Sequence, residues 1–263
     1  MARDFKTLVV ETPYPHVLCV KLNRPPVNAI NTQMATELRD FWRDIESAPD
    51  EFRCIVLTGA GKMAFCAGGD LKERDGMSDE EWTSQHRVFE SAVRAHLNSP
   101  IPILAAVNGF AYGGGLELAL CCDFTYSSSS ARFALPEVGL GIMPGAGGTQ
   151  TLARCVGERR AKELIFTGES FSADDAMAWG VINKVVVGSR LLETAFDTAR
   201  RIAANSPAAV QRAKLAIHYG LQADLYTGLR LELGLYATLI PSVDRRKGVR
   251  AFNERRRPGA FGD

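Results

Sequence analysis

No stretch of these 263 residues approaches the roughly 18 consecutive apolar residues that a membrane-spanning helix needs, so no membrane anchor is expected. Net charge is nearly absent as well. Lys and Arg number 31 against 30 Asp and Glu, and +1 is too little for a chain that grips polyanions through its overall charge. The six cysteines (Cys19, Cys54, Cys66, Cys121, Cys122 and Cys155) form no Cys-x-x-Cys pair and have no histidine at zinc-ligand spacing. No metal site is therefore expected, and the cysteines read as reduced, mostly buried thiols. The opening Met1-Ala2-Arg3-Asp4-Phe5-Lys6 acquires an acid early and has no apolar core. A secretory signal is not expected, and a cytoplasmic protein is the default.

Several signature loops are missing too. Gly59-Ala60-Gly61-Lys62 continues with Met63 and not with Ser or Thr, which excludes a Walker-type phosphate loop. Gly109 and Gly113–Gly115 do not give the Gly-x-Gly-x-x-Gly spacing of a dinucleotide site. The absence of a Gly-x-Ser-x-Gly elbow weakens a serine hydrolase. His16, His86, His96 and His218 each lack an evident nucleophile partner, and His86 reads as an ordinary helix-surface residue, with a pocket-lining position as the alternative.

What is present is an ordinary globular composition, 46% hydrophobic and 23% charged, long enough for one large domain or a domain with an appendage. Thr7–Val10 and Val17–Leu22 read as strands, closed by Asn23-Arg24-Pro25-Pro26. Apolar positions Ile30, Met34, Leu38, Phe41 and Ile45 recur at helical spacing, with Asn31 as the N-cap. Cys54–Leu57 and Ile103–Val107 are short continuous apolar runs that suit strands buried on both faces. This strand–helix–strand order predicts a right-handed crossover in an α/β core. Ser78-Asp79-Glu80-Glu81 has capping-box spacing and opens a helix whose stripe is Val88, Phe89, Ala92, Val93 and Leu97. Further strands are predicted at Phe124–Tyr126 and Lys184–Val187, and helices at Thr149–Val156, Ala173–Trp179 and Leu191–Ala204. Beyond Ser206-Pro207 the pattern is almost wholly helical, which divides the chain into a core over 1–204 and a helical region over 205–263.

Three segments concentrate glycine beside acids: Phe65-Cys66-Ala67-Gly68-Gly69-Asp70-Leu71-Lys72, Asn108–Glu117 with Gly113-Gly114-Gly115, and Leu135–Gly141 followed by Pro144–Gln150. Glycine clusters allow backbone to approach a ligand and let successive N–H groups face an anion. Tight turns explain any one of them alone. Three in one chain, two of them closely followed by glutamate, point to a site.

Ala67-Gly68-Gly69-Asp70-Leu71, Gly113-Gly114-Gly115-Leu116-Glu117 and Pro136-Glu137-x-x-Leu-Gly with Pro144-Gly-Ala-Gly-Gly-Thr-Gln resemble, in order and spacing, the three motifs of the enoyl-CoA hydratase/isomerase (crotonase) family. The resemblance runs from Leu22 to the end of the chain. Phe65–Arg74, Lys162–Phe166 and Ala213–Ile217 look most similar to hydratases of the 3-methylglutaconyl-CoA type. The resemblance implies a spiral of ββα units with a helical C-terminal trimerisation region, and a homotrimer or a hexamer of two trimers. It implies no prosthetic group, coenzyme A being carried as the substrate thioester. By position, the Gly69 and Gly114 N–H groups would form an oxyanion hole for the thioester oxygen, Glu117 would activate water, and Glu137 would protonate Cα. Arg24, Val27, Ala67, Asp70, Leu71 and Lys72 would cradle the coenzyme, and Phe252 and Arg255 would reach one, often that of a neighbouring subunit. Keeping both glutamates favours a hydratase over a double-bond isomerase. Some relatives also bind RNA through a lysine-rich helix, but Glu37–Ser47 carries only Arg39 and Arg43 among four acids, so nucleic acid is an unexpected partner.

Overall fold

The computed structural model describes residues 4–47 and 51–262; Met1–Arg3, where the reading of the N-terminus begins, lie outside the described residues. The chain opens with strands β1 (Leu8–Tyr14) and β2 (Val17–Leu22) and helix α1 (Thr32–Ser47). Then follow β3 (Cys54–Gly59), β4 (Ala64–Cys66), α2 (Leu71–Arg74) and α3 (Asp79–Leu97). A second turn holds β5 (Ile103–Val107), β6 (Phe110–Tyr112) and α4 (Gly114–Leu120). A third holds β7 (Phe124–Ser128), β8 (Arg132–Ala134), a 3-10 turn at Glu137–Leu140, α5 (Gly148–Val156) and α6 (Glu158–Thr167). The core closes with β9 (Phe171–Ser172), α7 (Ala173–Ala178), β10 (Lys184–Val186) and α8 (Leu191–Ala203). Helices α9 (Pro207–Gly220), α10 (Leu225–Leu239) and α11 (Val243–Asn253) follow.

From β3 to β8, each turn sends its first strand to one sheet and its second to another. The six-stranded sheet runs β1-β2-β3-β5-β7-β10 and the four-stranded sheet β4-β6-β8-β9. Among the described residues, only the β1–β2 and β8–β9 pairs are antiparallel. This is the expected ββα spiral. The buried reading of Cys54–Leu57 holds residue by residue: Ile55 and Leu57 join the main core with Phe41 and Trp42 of α1, while Cys54 and Val56 pack with Leu191, Ala195 and Ala199 of α8.

Local signals act where expected. Asn31 caps α1 by accepting from Met34 N–H at 2.9 Å, and Ser78 and Glu81 form the capping box of α3. Glu37 does not face solvent. Its carboxylate accepts the backbone N–H groups of Lys6 and Thr7 at 2.8 Å and so fastens the start of β1 to α1. Arg39 pairs with Asp40 at 2.9 Å, and Arg43 donates to Ser91 Oγ at 3.2 Å. Four cysteines are buried, Cys122 is half-buried and Cys155 is exposed. Burial pushes the Cys66 thiol up to about 12, as expected of an inert core residue.

Helix α9 is tied to the core by Lys214, whose ammonium donates to Asp123 at 2.8 Å and to the Ile101 carbonyl at 2.9 Å. Helices α9 to α11 nonetheless leave Leu225, Tyr226, Leu233, Tyr236 and Phe252 exposed in the single chain. Among the described residues no helix is long and apolar enough to cross a membrane.

Candidate active site

The register of the small sheet places the three glycine segments together. Cys66 of β4 lies opposite Ala111 of β6, and Ala111 lies opposite Phe133 of β8. Gly69 comes three residues after Cys66, Gly114 three after Ala111, and Glu137 four after Phe133. The site therefore forms where three parallel strands end side by side, the usual place for ligands in such sheets.

Two backbone donors open onto it. Ile30 and Gly69 form an isolated parallel bridge in which Ile30 N–H donates to Gly68 O (2.7 Å) and Asp70 N–H donates to Ile30 O (2.9 Å). This pattern leaves the Gly69 N–H outside the ladder. Gly114 is the first residue of α4, where N–H groups have no intrahelical acceptor, and no backbone carbonyl takes it up among the described residues. The loops carrying these donors touch. At Gly68, with φ of +90°, a Cβ would stand 2.8 Å from Tyr112 O and 3.1 Å from Gly114 N. Only glycine permits both that backbone conformation and that approach.

Glu117 lies one turn into α4 and is buried. Its Oε1 accepts the N–H groups of Ala146 and Gly148, each at 2.8 Å, so the Pro144–Gln150 segment orients it, and Oε2 is left uncommitted among the described residues. Burial raises its pKa, and the two N–H bonds oppose that rise. Glu137 opens the 3-10 turn with its Oε1 3.1 Å from where a Cβ on Gly113 would stand. Its Oε2 is buried without a hydrogen-bond partner. Burial raises its pKa to about 7, with the charge of Glu117 adding to the rise. The two carboxyl groups thus titrate as neighbours.

The Glu137 shift has a consequence for stability. An ordinary glutamate ionises near 4.5 and the folded protein holds this one near 7, so ionisation disfavours the folded state. Below 4.5 the carboxyl is neutral in both states and the penalty is absent; it grows as pH rises and is complete above 7. Glu137→Gln should therefore leave Tm unchanged near pH 4 and raise it near pH 8. The gain should be about 1–2 kcal/mol once solvent screening at the cleft is allowed for. Thermal melts at both pH values check this, and an equal Tm difference at the two would disprove it.

These groups line one cleft of about 540 Å³ with Ala67, Leu71, Tyr112, Leu140, Ile142 and Met143 among its walls. Of the twelve residues picked out from the sequence, Gly69, Gly114, Glu117, Glu137, Ala67 and Leu71 face it. Arg24, Val27, Asp70 and Lys72 sit just behind. Val27 O accepts the Ala67 N–H at 3.0 Å, Arg24 pairs with Asp70 at 2.5 Å, and Asp70 also caps α2. Phe252 and Arg255 line no part of the cleft, and Phe252 is 82% exposed. His86 corrects the surface reading. It lies on the α3 flank that meets the Gly145 loop, where a Cβ on Gly145 would stand 2.6 Å from its Cε1. Arg74, Trp82 and Phe89 also line the cleft; Arg74 closes the Phe65–Arg74 segment that carries the resemblance, which implied no role for it.

Free backbone donors beside two desolvated carboxyl groups define a site that can hold a developing oxyanion and move protons next to it. The chain belongs to the enoyl-CoA hydratase/isomerase family, whose profile matches residues 13–263. It is 41% identical over 246 residues to the short-chain-enoyl-CoA hydratase of Clostridium acetobutylicum, covering 93% of this chain and 94% of that one. It is 42% identical over 228 residues to human mitochondrial methylglutaconyl-CoA hydratase, covering 84% of this chain and 66% of that one. The crystal structure of an enoyl-CoA hydratase from Bacillus anthracis superposes with a TM-score of 0.95 at 42% identity, over 98% of this chain and all of that one (100%).

Proposed function

We propose that the protein is an enoyl-CoA hydratase, adding water in the syn sense to a 2-enoyl-CoA thioester. The observation that carries this is the pair Glu117 and Glu137 in one cleft with the free N–H groups of Gly69 and Gly114. The thioester oxygen lies against the two N–H groups. Glu117, held as an acceptor, takes a proton from water as the water oxygen bonds to Cβ. The π pair moves to the Cα–carbonyl bond and the negative charge collects on the oxygen, where preorganised donors act most strongly. Glu137, whose pKa near 7 keeps a large protonated fraction at neutral pH, gives its proton to Cα as the enolate collapses. One water is consumed; the proton gained by Glu117 and the one lost by Glu137 balance, and exchange with solvent resets the pair.

The coenzyme is read as lying along Ala67 and Leu71, supported from behind by Arg24, Val27, Asp70 and Lys72, several of them through backbone atoms. Phe252 and Arg255, remote from the cleft of their own chain, fit a role at a neighbour's coenzyme in a trimer or hexamer. The exposed apolar residues of α10 favour such an assembly. Isomerisation, the alternative, shuttles a proton between two carbons and needs only one acid. The second desolvated carboxyl favours hydration.

Following the absorbance of the conjugated thioester with crotonyl-CoA and methylglutaconyl-CoA tests this directly. Rapid loss of absorbance with formation of a 3-hydroxyacyl product is expected. Binding without water addition, together with conversion of 3-enoyl thioesters to 2-enoyl ones, would establish an isomerase instead.

A further inference from the structure

Helix α3 meets the active site along one face. His86 and Phe89 lie three residues apart on it and so project to the same side. A Cβ on Gly114 would stand 2.9 Å from Phe89 Cζ, and a Cβ on Gly145 would stand 2.6 Å from His86 Cε1 and 3.2 Å from its Nε2. The first contact backs the start of α4. The second backs the loop whose next residue, Ala146, donates its N–H to Glu117 Oε1 at 2.8 Å. The register of α3 is pinned beside both by Gln85. That residue is buried, and its Nε2 donates to Thr32 Oγ1 and to Glu73 Oε2, each at 2.8 Å.

The loop has little else to hold it. Among the described residues no backbone hydrogen bond outside helices and strands involves Met143, Pro144 or Gly145. Gly141 and Gly147, with φ of +75° and +102°, let the chain turn at either end of the segment. Gly145 differs from both. Its φ lies outside the left-handed region, so its backbone would admit a side chain, and what excludes one is the His86 ring. Among the described residues the ring has no hydrogen-bond partner of its own, so it contributes shape to this contact and not a hydrogen bond.

We propose that His86 is a positioning residue for hydration: its ring is the spacer that seats Gly145, and through the adjoining Ala146 N–H it keeps the Glu117 carboxylate aimed at the attacking water. This rests on the hydratase reading for the role of Glu117 and adds a residue to it. A displacement of about 1 Å can cost about 10²-fold in rate, so a spacer one residue removed from the hydrogen bond can still govern kcat.

A double-mutant cycle on the full-length protein tests the proposal, with wild type, His86→Ala, Gly145→Ala and the two changes combined. Three readouts are taken: hydration of crotonyl-CoA, exchange of a Cα proton of butyryl-CoA into deuterated water, and hydrogen exchange at the Ala146 amide. His86→Ala leaves Gly145 unsupported and should lower the hydration kcat by about 10- to 100-fold, with KM little changed. Its Cα exchange, which the hydratase reading assigns to Glu137, should persist, and its Ala146 amide should exchange faster. Gly145→Ala drives a methyl group against the ring and should lower kcat by a similar factor. In the combined variant the new methyl group fills part of the space the ring has left. Its kcat should exceed that of either single variant and lie about tenfold or more above the product of the two losses. Losses that simply multiply would overturn the proposal, as would a wild-type kcat in His86→Ala. Equal loss of hydration and Cα exchange in His86→Ala would also overturn it, because the ring would then support the cleft as a whole. If wild type adds no water to crotonyl-CoA but the Ala146 amide still exchanges faster in His86→Ala, the hydratase reading fails and the spacer stands.

Discussion

Glu117→Gln is expected to lower kcat for crotonyl-CoA hydration by about 10³, and Glu137→Gln by a similar factor, the range that a positioned acid or base contributes. The geometry supports expecting a loss in kcat and not in binding. Glu117 is fixed by the N–H groups of Ala146 and Gly148, and the amide oxygen of a glutamine can accept the same two bonds. Shape and the thioester site are preserved, but the basic oxygen is gone. The two variants should differ in a second readout. Exchange of a Cα proton of butyryl-CoA into deuterated water needs only an acid–base group at Cα. It should survive in Glu117→Gln and disappear in Glu137→Gln. The double variant should be little worse than either single one, because the carboxyl groups act as one unit. Near wild-type kcat in either single variant would remove that residue from the proton path.

Gly115→Ala should be the most damaging single methyl group near the site. A Cβ at Gly115 would stand 2.1 Å from Cys66 O, 2.7 Å from its carbonyl carbon and 2.8 Å from its Cβ. Two of these atoms are backbone of β4, so no side-chain rotation relieves the overlap, and α4 must move away from the small sheet. Overpacking of this kind costs about 3 kcal/mol or more, equivalent to a fall in Tm of about 6–12 °C at this chain length. Activity should fall further than stability, because Gly114 and Glu117 are carried on the displaced helix. Melting curves and kcat measured side by side check this. A Tm within 2 °C of wild type at the resolution of a melt (roughly the effect of a neutral surface change) would show that α4 is held less rigidly than its packing implies.

Much of the architecture was legible because long elements carry redundant signals. The α1 stripe from Met34 to Ile45 and its Asn31 cap agree with each other, while Ile30, read as part of that stripe, precedes the cap and bridges Gly69 instead; Cys54–Leu57 is apolar on both faces because α1 and α8 cover both. The small sheet was not legible. Its strands Ala64–Cys66, Phe110–Tyr112 and Arg132–Ala134 are three residues each, too short for alternation to register, and their pairing comes from the spiral and not from local preference. Yet that sheet brings the three glycine segments together, so the motifs could be recognised before their juxtaposition could be derived.

Two residues of the cleft could not be placed from the sequence, for one cause. Arg74 closes the Phe65–Arg74 segment that carries the resemblance, but its half-burial arises only when Trp82 and Gln85 of the next helix fold over it. His86 lies three residues before Phe89 and seven before Val93, on the α3 stripe, where spacing alone does not tell which wall it faces. The Gly145 loop, nearly sixty residues later in the chain, supplies the wall that makes that face part of the cleft.

The equal offsets of Gly69 and Gly114 from the paired residues Cys66 and Ala111 carry a further consequence. The two donors proposed for the oxyanion hole are thus anchored to neighbouring strands, which any sheet spaces about 4.8 Å apart. That strand spacing is a lattice dimension, common to every sequence that keeps the strands paired. The acids and the acyl wall hang from that lattice on separate elements: the helix that follows β6, the 3-10 turn that follows β8, and the short helix that follows β4. On the proposed reading, a lineage can exchange its proton-transfer groups while inheriting the same framework for holding an enolate.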